Sequence, residues 1–385
     1  MYDPSGRYNL SAALRGIMNM KKCGIYIHIP FCSKKCPYCD FYSRSGTDKL
    51  YDEYTAAMLR SLGSSPYRGE YAAATLYFGG GTPGLVGAER LALMIEEVKQ
   101  DFGLDTENSE ITVELDPADE SIDLDLLKRV GVNRISIGLQ SSDDRELKLL
   151  GRRHNAEQAE RFIERVKASG FENYSLDLML AIPGQTAESL ERSVRFCAES
   201  GASHISSYIL KIEPNTVFYK KRDELELPGD DEAADMYEYL CRLMSEYGYK
   251  HYEISNFCKE GFEGKHNLIY WHDEEYLGFG PSAHSFADGR RFYYPRSMKS
   301  FYDNEITEDG EGGSEEEYIM LALRLSKGVR AEEYRKRFDC ELPHKYLLRC
   351  RGLAAAGLVK ADENGFSLTE KGFLLSNSVI ARLLQ

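Results

Sequence analysis

Cys32, Cys36 and Cys39 fall within eight residues, in the stretch from Gly24 to Ser43 and just after a short apolar run that reads as a strand. Thiolates ligate cubane iron-sulfur clusters, and a full set is four. Three from one tight loop leave one iron open, and an open iron is where chemistry can happen. Two other readings share the residues: a zinc site completed by His28 or Asp40, and a redox pair with a spectator cysteine. His28 sits on the strand that enters the loop, but paired C-x2-C knuckles are the commoner zinc pattern. The remaining cysteines, at positions 23, 197, 241, 258, 340 and 350, are scattered without a disulfide framework. The N-terminus lacks the apolar core of a secretory signal.

A second group of chemically capable residues sits at regular intervals further on. It comprises Gly79, Gly80, Gly81 and Thr82, then Glu114 in Glu114-Leu-Asp-Pro117, then Gln140, Arg152 and Asp177. A run of glycines lets backbone approach a ligand closely where a side chain would block it. Solvated side chains at Arg152 and Gln140, and a helix cap or buried ion pair at Glu114 and Asp177, are the competing readings.

The elements that must hold these residues follow from periodicity. Segments 24–29, 74–79, 110–115, 134–138, 174–180 and 204–210 are β-rich. Helical spacing fills 48–63, 87–102, 122–130, 154–169 and 186–200. Strand-helix alternation predicts a parallel sheet with right-handed crossovers, either open or a partial (β/α)6 barrel. Such sheets collect ligands at the carboxyl ends of their strands, and most of the residues singled out above follow strands.

At 385 residues the chain predicts two or three domains. No apolar run approaches the roughly 18 residues that span a bilayer. A formal charge of -14 argues against nucleic-acid binding, which draws on clustered Lys and Arg, and fits an acidic cytoplasmic protein. Residues 1–22 read as an N-terminal extension. Arg7, Arg15, Lys21 and Lys22 against Asp3 give it a faint transit-peptide character, unless Met18 or Met20 replaces Met1 as the start.

The C-x3-C-x2-C motif and its flanks resemble the radical S-adenosylmethionine (radical SAM) superfamily. That resemblance implies a partial (β/α)6 radical SAM barrel, a [4Fe-4S] cluster on Cys32, Cys36 and Cys39, and SAM chelating the open iron. It also implies SAM contacts from Tyr26, Tyr38, Gly80, Gly81, Thr82, Glu114, Gln140, Arg152 and Asp177. By charge, Glu114 would accept from the ammonium, Arg152 would hold the carboxylate, and Gln140 with Asp177 would bind ribose hydroxyls.

From about residue 23 onward the resemblance narrows to the group that contains oxygen-independent coproporphyrinogen III oxidase (HemN) and the heme chaperone family HemW. Its carriers are Tyr26–Cys32, Gly79–Pro83, Asn133–Ser141, Leu149–Arg152, Asp177 with Pro183-Gly-Gln-Thr186, and Tyr252–Phe257. The oxidase motif has a fourth cysteine two residues past the third; here Asp40 and Phe41 follow Cys39. The chaperone motif His-Asn-x-x-Tyr-Trp stands intact as His266-Asn-Leu-Ile-Tyr-Trp271. The HemW resemblance implies heme as ligand and heme-accepting apoproteins, such as respiratory hemoproteins, as partners. It also implies an electron donor of the flavodoxin or ferredoxin kind.

Imidazole is an axial ligand to heme iron, so the resemblance marks His266 as that ligand, with Tyr270 and Trp271 as flat surface for the porphyrin and Asn267 to orient it. His272 and His284 are alternative ligands, and a packed aromatic corner around a hydrogen-bonded histidine is the competing reading. The enzyme alternative is coproporphyrinogen III decarboxylation to protoporphyrinogen IX by a 5'-deoxyadenosyl radical.

The resemblance divides the chain into a radical SAM core, 23–228, and a HemN-type extension, 229–314. Composition shifts at a Gly/Glu-rich stretch, 308–317, which reads as a linker. Beyond it, 315–385 reads as a small winged-helix-like α+β domain, with helices at 331–338 and 345–356, a wing at 358–369 and a terminal helix. Its mixed charge points to a docking or lid role.

Overall fold

The computed structural model describes residues 20–385, so most of the 1–22 extension lies outside the described residues. Six strands carry the architecture: β1 (Lys21–Ile29), β2 (Tyr71–Gly80), β3 (Glu110–Leu115), β4 (Arg134–Gln140), β5 (Tyr174–Leu180) and β6 (His204–Ile209). They pair in parallel in sequence order. The intervening helices make this possible, because a parallel crossover needs a dozen or more residues. The helix Asp48–Gly63 coincides with its expected span. Its start is fixed by Thr47, whose side chain accepts from the Leu50 amide.

Alternation along the strands makes the sheet two-faced. Ile25, Ile27 and Ile29, Leu76 and Phe78, Ile111 and Val113, Ile135 and Ile137, and Leu176 and Leu178 are almost fully buried on one face. Each such side chain contributes about 1.5–3 kcal/mol. Positions of the opposite parity are largely polar: Tyr26 and His28, Thr75 and Tyr77, Glu110, Thr112 and Glu114, Arg134 and Ser136, Ser175 and Asp177.

The later segments widen this sheet. The hairpin β7 (Lys250–Glu253) and β8 (Asn256–Cys258) adds antiparallel to β6, while β9 (Tyr276–Phe279) adds parallel to β1. β10 (His284–Ala287), β11 (Arg290–Tyr293) and β12 (Thr307–Glu311) continue antiparallel beyond β9. The result is a twelve-stranded sheet whose edges, β12 and β7, remain unjoined. It is therefore the open form of the expected α/β barrel.

The stretch read as a linker holds β12 and the start of the helix Glu315–Ala322, capped by Ser314. Beyond it, β13 (Val329–Arg330), β14 (Val359–Asp362) and β15 (Gly365–Leu368) form a separate three-stranded sheet flanked by helices, the expected helix-helix-wing order. Arg337 in the helix Ala331–Phe338 binds the buried Asp273 carboxylate at 2.7 Å and joins this module to the sheet.

Candidate functional site

The cysteine loop leaves the carboxyl end of β1 and is closed at its base. The Cys32 amide donates to the Arg44 carbonyl, and the Arg44 amide to the Pro30 carbonyl, at 3.0 and 2.9 Å. Inside the loop the Cys39 amide donates to the Cys36 carbonyl at 3.1 Å. All three thiols line one cavity of about 560 Å³, and burial pushes Cys32 and Cys39 above the usual thiol range. Two donors reach the sulfurs at 3.7 Å: Thr82 Oγ1 to Cys32 and Arg152 Nη1 to Cys36.

A zinc reading finds no fourth ligand here. His28 Nε2 donates to the Tyr42 carbonyl at 2.9 Å while Nδ1 accepts from the Tyr26 hydroxyl at 3.0 Å. Asp40 pairs with Arg296 at 3.3 Å. Nor do the three sulfurs crowd within 4.8 Å of one another, a spacing that other ligand-type side chains among the described residues do reach. One zinc with bonds of about 2.3 Å would draw them closer than that. Three thiolates spread around a cavity and served by N–H and O–H donors suit a cubane.

The glycine turn follows β2 and runs beside the loop, because the Gly81 and Thr82 amides donate to the Ile29 and Phe31 carbonyls at 2.8 and 2.7 Å. This pairing explains two of the glycines. Gly80 has φ +109°, and a Cβ there would lie 2.5 Å from the His28 ring; a Cβ on Gly81 would collide with the Phe31 carbonyl oxygen. The bare backbone therefore borders the cavity directly.

Glu114, Arg152 and Asp177 line the same cavity. Glu114 accepts from the Tyr77 hydroxyl at 2.8 Å and the Gly80 amide at 3.2 Å. Loss of hydration pushes its carboxyl up to about 7, against the lowering effect of the Tyr77 bond. Burial likewise raises Asp177, which accepts from Ser136.

Arg152 donates at 2.7 Å to both Asp116 and the Gly138 carbonyl, yet its Nε has no partner. Burial works against its charge, and Asp116 keeps it protonated; burial would also raise Asp116, but His154 and Arg152 hold that carboxyl well below its usual range. Arg152 is thus paired, not solvated, and lines the cavity. Tyr38, Gly80, Gly81, Thr82 and Gln140 line it too, with Gln140 at φ +72° where β4 ends.

Two expected contacts lie elsewhere. Tyr26 points from the same face of β1 as His28, and neither lines the cavity, whose lining begins at Cys32. His266 begins the helix Lys265–Trp271, whose amides at Lys265 and His266 donate to Glu110 at 3.0 Å. That anchors the helix to the amino end of β3, packed on β1 and β2. The imidazole is 1% exposed, with Nδ1 hydrogen-bonded to Thr75 Oγ1 and Nε2 to the Tyr270 hydroxyl, both at 2.7 Å. Burial lowers it to about 3, so it is neutral, and the Tyr77 ring stacks on it at 5.1 Å.

The expectation of a heme ligand at His266 therefore meets an imidazole with no free nitrogen, in the packed aromatic corner of the competing reading. His272 is half-buried, and His284 is exposed and stacked on Tyr293 at 5.0 Å.

Sequence reasoning passed over Asp116 and the mouth of the cavity. There Phe41 (66% exposed) and Tyr208 (44%) stand with Lys34, Lys35 and Lys211, beside Asp40 and Glu213, of which Glu213 pairs with Lys211 at 2.7 Å. Two basic residues between Cys32 and Cys36 and one after β6 were the available signal.

The Radical SAM superfamily profile matches residues 26–197, and the HemN C-terminal domain profile matches 316–375. "Heme chaperone HemW" from Bacillus subtilis is 36% identical over 93% of this chain and 98% of its own length. The protein of that name from Lactococcus lactis is 35% identical over 95% and 98%, and that from Escherichia coli 32% over 96% and 100%. Among solved structures, coproporphyrinogen III oxidase (HemN) from Escherichia coli superposes with a TM-score of 0.79 over 98% of this chain and 93% of its own, at 21% identity. That likeness bears on the fold.

Proposed function

The chain belongs to the HemW family of the radical SAM superfamily, and we propose that it is a heme chaperone that holds a [4Fe-4S] cluster, SAM and heme and passes heme to apoproteins. The observation that carries this reading is the convergence of the cysteine loop, the Gly79–Thr82 turn and the Glu114–Arg152–Asp177 wall on one cavity with an aromatic and cationic mouth.

Cys32, Cys36 and Cys39 would ligate three irons of the cluster. When bound, the cluster would supply an open iron for the SAM amino and carboxylate groups to ligate. Around it the chain's own groups bind and orient. The ionised Glu114 and the glycine carbonyls accept from the N–H groups of the amino group, the Arg152 guanidinium provides the charge that offsets the carboxylate, and Asp177 with Gln140 accepts from ribose hydroxyls. Gly80 and Gly81 keep side chains out of that space. Tyr26 and Tyr77 serve from beneath, holding His28 and Glu114.

Heme would lie at the mouth, its plane against Phe41 and Tyr208 and its two propionates toward Lys34, Lys35 and Lys211. Aromatic faces and clustered cations suit a flat dianion, and they stand out on a chain of net charge -14. We keep the division into core 23–228, extension 229–314 and terminal module 315–385. The terminal module has a docking role toward the heme acceptor, for which respiratory apoproteins are our candidates. A flavodoxin or ferredoxin would reduce the cluster. No helix among the described residues is long and apolar enough to cross a membrane, and we place the protein in the cytoplasm, away from nucleic acid.

The test is an anaerobic hemin titration of wild type and a Lys34→Glu/Lys35→Glu/Lys211→Glu triple variant. Reversing three charges beside a dianion should weaken binding tenfold or more, about 1.4 kcal/mol. Equal affinities would remove the mouth as the heme site.

A further inference from the structure

A second cluster of metal-ligating side chains lies away from the cavity, where the extension meets the terminal module. Cys241 comes from the helix Asp230–Glu246, His251 from β7, and Glu370 from the first position of the helix Glu370–Leu374. One ligand atom from each lies within 4.8 Å of the other two. We propose that Cys241, His251 and Glu370 form a transition-metal site, zinc by its donor set, that staples the terminal module to the extension.

The donor types suit zinc, which takes thiolate, imidazole and carboxylate in tetrahedral sets and often keeps a water as fourth ligand. Their surroundings suit it as well. The His251 ring is fixed by stacking on Phe257 at 4.3 Å and by the Phe373 ring at 5.0 Å, so its orientation does not depend on the metal. Tyr237 supports the site from below: its hydroxyl lies 3.4 Å from His251 Nε2 and donates to the Ile254 carbonyl at 3.2 Å.

Cys241 is buried while Glu370 is exposed, which gives the ion an entry side. A divalent ion takes the Cys241 thiol as thiolate, its proton passing to solvent, and the neutral His251 imidazole through a ring nitrogen, while Glu370 completes the neutralisation.

Joining a helix, a strand and a helix from beyond residue 315 is a structural role. It uses none of the residues assigned to SAM or heme, so its fate is independent of that reading.

The experiment is elemental analysis and zinc K-edge absorption on the full-length, cluster-loaded protein after equilibration with zinc and gel filtration. One zinc per chain is expected, with a single sulfur neighbour at about 2.3 Å and nitrogen or oxygen at about 2.0–2.1 Å. Cys241→Ser and the exposed Glu370→Gln should each cut retained zinc at least fivefold with iron content unchanged, while Cys340→Ser leaves both alone. The proposal is overturned by zinc that does not survive filtration or is equally retained in Cys241→Ser and Glu370→Gln. It is also overturned by a three-sulfur zinc environment, which would place the metal on the Cys32–Cys39 loop.

Discussion

Replacing His266 with phenylalanine separates a heme ligand from a structural histidine. In the structure the substitution removes two 2.7 Å hydrogen bonds and strands the hydroxyls of Thr75, which is 2% exposed, and Tyr270, which is half-buried. An unsatisfied buried hydroxyl costs about 1–3 kcal/mol. The ring is also tightly held: a Cβ built on Gly24 would already lie 3.3 Å from the His266 Cε1. Against this, the apolar ring is easier to bury than imidazole by about 1 kcal/mol.

The net expectation is a loss of about 2–3 kcal/mol, a substantial part of the 5–15 kcal/mol that keeps a domain folded. It would appear as a fall in Tm of about 3–8 °C. Thermal unfolding followed through Trp271, the sole tryptophan and a member of the same helix, reads that change. Hemin titration well below Tm should give an unaltered Soret maximum and an affinity within about twofold. A variant with wild-type Tm and a lost or shifted Soret band would refute the reasoning, since it would mean that the imidazole leaves Thr75 and Tyr270 to take iron.

SAM affinity should depend on pH through Glu114. Its folded pKa of about 7 stands above the 4.5 of the free side chain, so the folded apo chain holds the proton more tightly and loses stability as pH rises from 4.5 to 7. An N–H donor bound against Glu114 favours the ionised form, and apparent SAM binding should tighten roughly tenfold between pH 6 and 8. Calorimetry should show that slope abolished in Glu114→Gln; a flat wild-type profile would disconnect Glu114 from the SAM amino group. Gly81→Ala must displace either the turn or the Phe31 backbone, at a cost of about 1–3 kcal/mol. Reconstituted iron should drop below half of wild type while far-ultraviolet dichroism stays constant, and full iron loading would show that the loop accommodates the methyl group.

Much of the architecture was legible because local signals agreed with the global one. Apolar runs of the right length alternated with helices such as Asp48–Gly63, whose Thr47 cap and periodic leucines left little choice. The six strands appear in the order expected, and nearly all the residues picked for SAM line one cavity. Tyr26 and His266 do not, for a reason that spacing does not carry. Depth along a strand decides whether a side chain meets the cavity or the layer below, and Tyr26 lies well before Cys32, where the lining begins.

The polar parity of β1 to β5 was itself written in the sequence and marks the inner face, but strands read only as apolar runs conceal it. Composition also misled at 308–317, where glycines and glutamates suggest a linker. β12 survives there because an edge strand needs only the β11 ladder, with its side chains free in solvent. The helix Asp144–Leu149 is too short for periodicity to register. Asp116 escaped because its importance lies in its pairing with Arg152, thirty-six positions away.

The short helix that carries His266 has a further effect through its position. Packed on β1 and β2 and clamped by Glu110 at the amino end of β3, it covers the inner face of an otherwise open sheet away from the Cys32–Cys39 loop. Under the roles proposed above, a small sulfonium in the cavity would lie beneath a porphyrin at its mouth, so the sulfonium would have to be seated first.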